Sequence, residues 1–215
     1  MTGGLRLECL GLDAPLSDLV GESARSALAA LGLSGALDRL VICADDLAGC
    51  DDAWVQPGRG ARRRDLTLYC HPEVFLAARA APGVPAAVWD CPGPGDTSRP
   101  PVSASAFSRV RTEAFLHHHL TVIGDLVRGE LEPSTVPADL AEAFDAAWAI
   151  GVDGRLGRAG LPGYPLAERR RRFSRLFSQA GILMPAHWTV FQELWDGVAA
   201  GQQDVVRLAR ALPRL

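Results

Sequence analysis

The sequence predicts an α+β fold with a small N-terminal β-sheet, a central long helix and a helical C-terminal part. Short runs rich in β-branched and apolar residues occur in the first third of the chain, bounded by Gly, Asp, Pro or Arg. Apolar residues then recur at helical spacing over residues 103–131, and further helical patterns follow. With 215 residues and 48% hydrophobic content, the chain can bury one sizeable core. We therefore interpret residues 1–215 as a single domain.

The sheet-containing part spans residues 1–102. Residues 17–33 predict the first helix, because apolar side chains recur at near-helical spacing behind Ser17 and Asp18, and either of these two residues can serve as the N-cap. Residues 47–65 are rich in Gly, Asp and Pro and predict a loop or a loose hairpin. Three short runs predict strands: residues 5–10, 39–44 and 66–70.

A short helix and a connector are expected to complete this part. The helix begins at His71 and Pro72, because proline suits a first helical turn. Residues 82–101 are so rich in Pro and Gly that they predict a connector without regular structure.

The helical part spans residues 103–215 and begins with the central helix, predicted over 103–131. Its apolar face, at helical spacing, consists of Phe115, Leu116, His119, Val122, Ile123 and Leu126. Further helices are expected at 138–150, 166–181 and 187–201, with a Gly-rich turn at 151–165. Trp188, Phe191 and Trp195 form a stripe on the last of these helices. The stripe docks that helix if it is buried and offers a protein interface if it is exposed.

Composition and charge restrict the possible partners. The net charge of -3 gives the whole chain no attraction for nucleic acid or anionic membranes. No stretch approaches the roughly 18 apolar residues that a spanning helix needs, and the N-terminus lacks the pattern of a signal peptide. We therefore expect a cytoplasmic protein without a membrane partner. The five Cys residues include no close CxxC-like pair, so we expect reduced thiols rather than a structural zinc site.

The central helix contains three consecutive histidines in the run FLHHHLTVIGDLVRGE, residues 115–130. This run is similar to the active-site helix of the zincin metallopeptidases, in which apolar residues precede an HExxH motif. The alignment places His118 on the first family histidine, His119 on the catalytic glutamate and Val122 on the second histidine. The resemblance covers about residues 37–163 and implies a zincin-like fold, with a strand at 39–44, an edge strand at 66–70 and then this helix.

The resemblance implies that the chemistry of the family is lost. In HExxH two histidines one helical turn apart share a zinc ion, and the glutamate takes a proton from zinc-bound water. Val122 cannot bind zinc, and an imidazole at position 119 cannot replace the carboxylate base. We therefore expect no catalytic residues and no cofactor, and a protein that binds an unknown protein or small ligand in the former active-site cleft. The candidate cleft residues are His117, His118, His119, Asp125 and Asp153.

The histidine triplet also has other interpretations. Consecutive helical residues diverge by about 100°, so the three rings cannot share one ion. In the simplest interpretation His119 is a hydrogen-bonded core histidine, while His117 and His118 face solvent or a cleft wall. A histidine can also serve as a base or a binding group without a metal.

A relocated metal site is the alternative, and it would make the protein a metal-dependent hydrolase. Glu113 and His117 are four residues apart and could share a zinc ion from one helix face, and His118 is a weaker candidate ligand. A distant side chain would complete the site: Asp153, His71 or His187.

Residues 169–172 are four consecutive arginines. On a helix they spread around most of the circumference, which favours a solvated surface paired with Glu168 over a patch for nucleic acid or a partner. Because the whole chain is acidic, we do not expect a nucleic acid partner.

Overall fold

The computed structural model describes residues 5–45, 53–57, 64–77, 103–178, 182–199 and 201–212. Its elements form the mixed α+β fold that the sequence predicts. They divide into two compact units, Met1–Ile123 and Gly124–Leu215. The predicted connector 82–101 lies outside the described residues.

The first unit contains a four-stranded sheet. Its strands are β1 (Arg6–Leu10), β2 (Arg39–Ala44), β3 (Trp54–Pro57) and β4 (Asp65–Cys70). The order is β1-β2-β4-β3, in which β1, β2 and β4 are parallel and β3 is an antiparallel edge strand. The three predicted strands are confirmed. The fourth, β3, lies in the segment predicted as a loop or loose hairpin, and Pro57 at its end is tolerated because it sits on an edge strand.

Helix α1 (Ala14–Ala30) connects the parallel strands β1 and β2, which need such a crossover. Its N-cap is Asp13, whose side chain accepts the Leu16 backbone N–H at 2.8 Å, so the predicted caps Ser17 and Asp18 were wrong. The turn before it requires Gly11, which has a φ of +79°. A Cβ at Gly11 would lie 1.8 Å from the carbonyl oxygen of Ala44, so the turn passes directly over the end of β2.

Helix α2 (Arg109–Arg128) is the predicted central helix, but it is shorter than expected. A separate 3₁₀ turn at Ala104–Ala106 precedes it, so the prediction of one continuous helix over 103–131 was wrong. Tertiary pairing explains the difference. Phe107 forms an antiparallel bridge with Leu76, and the Ser108 N–H donates to the Phe75 carbonyl at 2.8 Å. These bonds hold the residues before Arg109 in a non-helical path.

The predicted apolar face of α2 is confirmed only in part. Phe115, Leu116 and Ile123 are buried, whereas Val122 and Leu126 are only half-buried. Leu120 is fully buried although it was not assigned to the face. The helix is covered around most of its circumference, so a single apolar stripe does not describe its packing.

The second unit is helical. Its helices are α3 (Ala141–Arg158), α4 (Leu166–Phe177), α5 (Pro185–Asp196) and α6 (Gln202–Ala211). The sequence did not predict α6. The Gly-rich turn expected at 151–165 was also wrong over its first half, because α3 continues to Arg158. None of the helices in the described ranges has both the length and the apolarity needed to span a bilayer.

Gly154 explains why the sequence predicted a turn where α3 continues. A Cβ at Gly154 would lie 2.1 Å from the carbonyl oxygen of Trp195 in α5. Gly154 therefore lets two helices approach closely and does not end the helix that contains it.

Candidate functional site

The site predicted from the sequence centres on the buried stretch of α2 in the first unit. From Arg111 to Ile123 every side chain is buried except those of Glu113, His119 and Val122. His119 and Val122 are three residues apart and therefore lie on one side of the helix, about 120° or more from Glu113. The accessible side of α2 thus carries the two positions that the resemblance aligns with the catalytic glutamate and the second histidine.

His117 is a buried histidine with a defined hydrogen bond. Its side chain is 5% exposed, and its Nδ1 donates to the backbone carbonyl of Glu113 at 2.8 Å. Because a carbonyl can only accept, Nδ1 carries a proton, and Nε2 is the ring nitrogen that this bond does not use. The Thr121 hydroxyl donates to the His117 carbonyl at 2.7 Å, which braces the same turn of the helix.

His118 and His119 form a ring pair with Phe115. The imidazole centroids of His118 and His119 are 4.9 Å apart with planes at 84°, and the centroids of Phe115 and His119 are 4.4 Å apart. His118 is buried, whereas His119 is half-buried. This reverses the interpretation that His119 is the core histidine while His117 and His118 face outward. Because α2 is covered on most sides, helical periodicity alone did not identify its exposed side.

A second group of buried ionisable side chains lies in the same unit. His71, Glu73 and Arg111 are 3%, 6% and 5% exposed. His71 follows β4 and caps the 3₁₀ turn Pro72–Phe75 by accepting the Glu73 N–H at 3.3 Å.

The same turn packs on α2, because the rings of Phe75 and Phe115 meet edge to face at 5.6 Å. The sequence had indicated His71 as the start of a short helix and as a distant metal ligand, and gave no role to Glu73 or Arg111. The one available signal was the run His71-Pro72-Glu73 immediately after a buried strand.

The pair proposed for a relocated metal site is engaged in other contacts. His117 binds the backbone of Glu113, and the Glu113 carboxylate lies 3.7 Å from Arg109. The structure brings no three His, Cys, Asp or Glu side chains into a metal-binding arrangement within the described ranges.

Asp125 and Asp153 belong to the second unit and are held by arginines. Asp125 is fully buried and accepts hydrogen bonds from Arg155, at 3.0 and 2.5 Å, and from Arg128, at 2.8 Å. Asp153 is 1% exposed and accepts from the Tyr164 backbone N–H at 3.0 Å and from Arg169 Nε. Each carboxylate therefore stabilises the packing of its own unit.

The arginine run lies on α4 and is partly internal. Arg171 and Arg172 pair with Glu168, the latter at 2.7 Å, so the predicted pairing with this residue is confirmed. Arg169 is 6% exposed and stacks on Tyr164 at 4.5 Å, so the run is not a uniformly solvated surface. Burial raises the pKa of Glu168, but hydrogen bonds and charge from Arg172 and Arg171 outweigh it and lower the pKa below its usual value.

The thiols in the described part of the chain are not activated nucleophiles. Cys9 and Cys43 are half-buried and Cys70 is buried, and all three are free, which matches the expectation of reduced thiols. Burial raises the pKa of the Cys70 thiol far above its usual value, and the nearby Cys43 raises it further. Cys70 is therefore protonated at neutral pH.

Comparison with known proteins adds no relative: no family model, no curated protein and no solved structure matches this chain.

Proposed function

We propose that this protein is a catalytically silent zincin-like protein that binds a protein or small ligand at the surface around His119 and Val122. One observation carries the proposal. These two side chains are the accessible ones on their side of the buried stretch of α2, and they occupy the positions aligned with the catalytic glutamate and the second zinc ligand.

The order of elements in the first unit supports the zincin-like interpretation. The resemblance implies a strand, an edge strand and then the active-site helix. The expected edge strand, residues 66–70, was wrong, because β4 lies between β2 and β3 in the sheet. The edge strand between β2 and α2 along the chain is β3 instead, so the order of a strand, an edge strand and a helix is retained with a different edge strand. The turn Pro72–Phe75 joins the end of β4 to α2 through the contact of Phe75 with Phe115.

The chemistry of the accessible side chains supports binding rather than hydrolysis. Val122 has no atom that can bind a metal, and the half-buried imidazole of His119 is in contact with two other rings. The half-buried side chains of His119 and Val122 present a surface that is part polar and part apolar. This combination suits a ligand that is itself part polar and part apolar.

The decisive experiment restores the motif. The double variant His119→Glu/Val122→His places imidazoles at positions 118 and 122 with a carboxylate between them. We expect the tag-free double variant to bind zinc more tightly than the wild type, as measured by titration with zinc in competition with a chelator of known affinity.

Two controls separate a restored site from adventitious binding. His119→Glu/Val122→Ala lacks the second imidazole, and adding His118→Ala to the double variant removes the first. Both should return the zinc affinity to the wild-type level. A double variant that binds zinc no more tightly than the wild type would show that positions 118 and 122 do not face a common space, and the proposal would then be wrong.

A further inference from the structure

We propose that the outer face of α5 binds a partner segment that combines basic and apolar side chains. This surface lies wholly within the second unit and is independent of the site on α2. It forms a shallow groove of about 430 Å³, hereafter the α5 groove, lined by Pro185, Trp188, Thr189, Gln192, Glu193, Asp196 and Val198.

The α5 groove carries exposed apolar side chains. Trp188 is 38% exposed and Val198 is 68% exposed, and Met184, which directly precedes α5, is 52% exposed. Of the aromatic stripe expected to dock this helix, only Phe191 is fully buried. Apolar side chains grouped in this way are typical of interaction surfaces.

The aromatic side chain of the groove is held in a fixed orientation. The ring centroid of Trp188 lies 6.0 Å from that of Phe173 and 5.9 Å from that of Phe191. Part of the indole is packed and part is exposed. A partner can therefore contact the exposed part without the entropy cost of fixing the side chain.

Charge identifies the kind of partner. Glu193 and Asp196 are the charged residues among those lining the groove, and neither forms an ion pair within the described part of the chain. Asp196 accepts a hydrogen bond from the side-chain amide of Gln192, at 2.9 Å. By contrast, the buried carboxylates of Asp125, Asp153 and Glu168 are all paired with arginines.

Two carboxylates that form no ion pair within the described ranges, beside an exposed indole, favour a cation with an aliphatic stem. An arginine or lysine would pair with Glu193 or Asp196 and contact the face of Trp188, while neighbouring apolar side chains cover Val198. Negative charge disfavours an anionic membrane at the same place. The occupant is therefore a protein segment with apolar residues on one side and Arg or Lys beside them.

A synthetic helical peptide with Leu on one face and Arg along both borders tests this inference. We expect fluorescence anisotropy at low salt to show saturable binding of the labelled peptide, and no binding of a matched peptide in which each Arg is Glu. The variant Glu193→Gln/Asp196→Asn should weaken binding about tenfold, and Val198→Ser should also weaken it. The control Asp139→Asn/Glu142→Gln removes two exposed carboxylates outside the groove and should leave the affinity unchanged.

Several outcomes would overturn the inference. Equal binding of the Arg and Glu peptides, or equal affinity of the groove variant and the control variant, would show that the carboxylates do not select the partner. If the wild type dimerises in sedimentation experiments and the groove variant does not, the groove binds a second copy of this chain instead. Binding to phosphatidylcholine vesicles without peptide binding would assign it to lipid. None of these outcomes depends on whether the site on α2 binds a ligand.

Discussion

His117 is hydrogen-bonded to the backbone of Glu113 one turn earlier in α2, with Nδ1 2.8 Å from the carbonyl oxygen. The Glu113 carboxylate is directed to Arg109 instead, at 3.7 Å. The two residues are thus linked through the backbone of one and the ring of the other, not through two groups that converge on a metal. Nε2 is the ring nitrogen of His117 that this bond does not use.

This relationship predicts that a relocated zinc site is absent. Replacing Glu113 with Gln, or His117 with Ala, should leave the zinc content of the tag-free protein unchanged and well below one per chain. Metal analysis after dialysis against zinc checks it, with exposed Glu142→Gln as the carboxylate control and circular dichroism of each variant as the control for loss of fold. If the wild type contains nearly one zinc per chain and both α2 variants lose it, the metal-dependent hydrolase is established instead.

The packing of α2 predicts different losses of stability along its length. Leu120 is 0% exposed, so Leu120→Ala should lower the free energy of unfolding by about 2 to 5 kcal/mol, through lost transfer energy and a cavity. Leu126 is half-buried, so Leu126→Ala should lower it by less than about 2 kcal/mol, because the smaller buried surface leaves a smaller cavity. Urea unfolding followed by circular dichroism compares the two variants. A larger loss for Leu126 than for Leu120 would mean that the buried side of the helix is misassigned.

The strands and the central helix could be predicted because their local patterns agree with their final environment. The edge strand β3 was covered only by the alternative of a loose hairpin, because Trp54–Pro57 gains its conformation by pairing with β4, including the stacking of Trp54 on Tyr69 at 5.2 Å. The end of α3 was predicted incorrectly for a similar reason. Gly154 looks like a helix breaker in the sequence, and only the approach of the Trp195 carbonyl shows why glycine is needed there.

The burial of the histidine triplet could not be predicted from the sequence. The histidine triplet was found from its sequence, yet the assignment of His119 to the core was wrong because periodicity assumes one buried stripe. Helix α2 is covered on most sides between Arg111 and Ile123. The burial of Glu73 and Arg111 depends on contacts between distant segments, which a local pattern does not contain.

Glu168 predicts a pH-dependent contribution to stability. Its pKa is lowered in the folded protein by Arg172 and Arg171 despite burial, so its contribution is fully present above the unfolded pKa of about 4.3 and disappears as the pH falls through the folded pKa. Glu168→Gln should therefore lower the melting temperature at pH 7, with a difference that shrinks on acidification to about pH 3. Thermal unfolding at both pH values measures it, with exposed Glu142→Gln as the control. A difference that stays constant between the two pH values would mean that the ion pairs do not contribute.

The ion pairs on α4 also predict that the arginine run does not bind nucleic acid. Arg169 is buried against Asp153, and Arg171 and Arg172 are paired with Glu168, so only part of the run is available to phosphates. Real binding would release counterions and weaken steeply with added salt. Electrophoretic shift assays with generic RNA and duplex DNA at about 50 mM salt should give no submicromolar complex. Replacing the exposed Arg170 with Gln removes one charge without breaking these pairs. If the wild type binds with submicromolar affinity and this variant does not, the prediction is wrong.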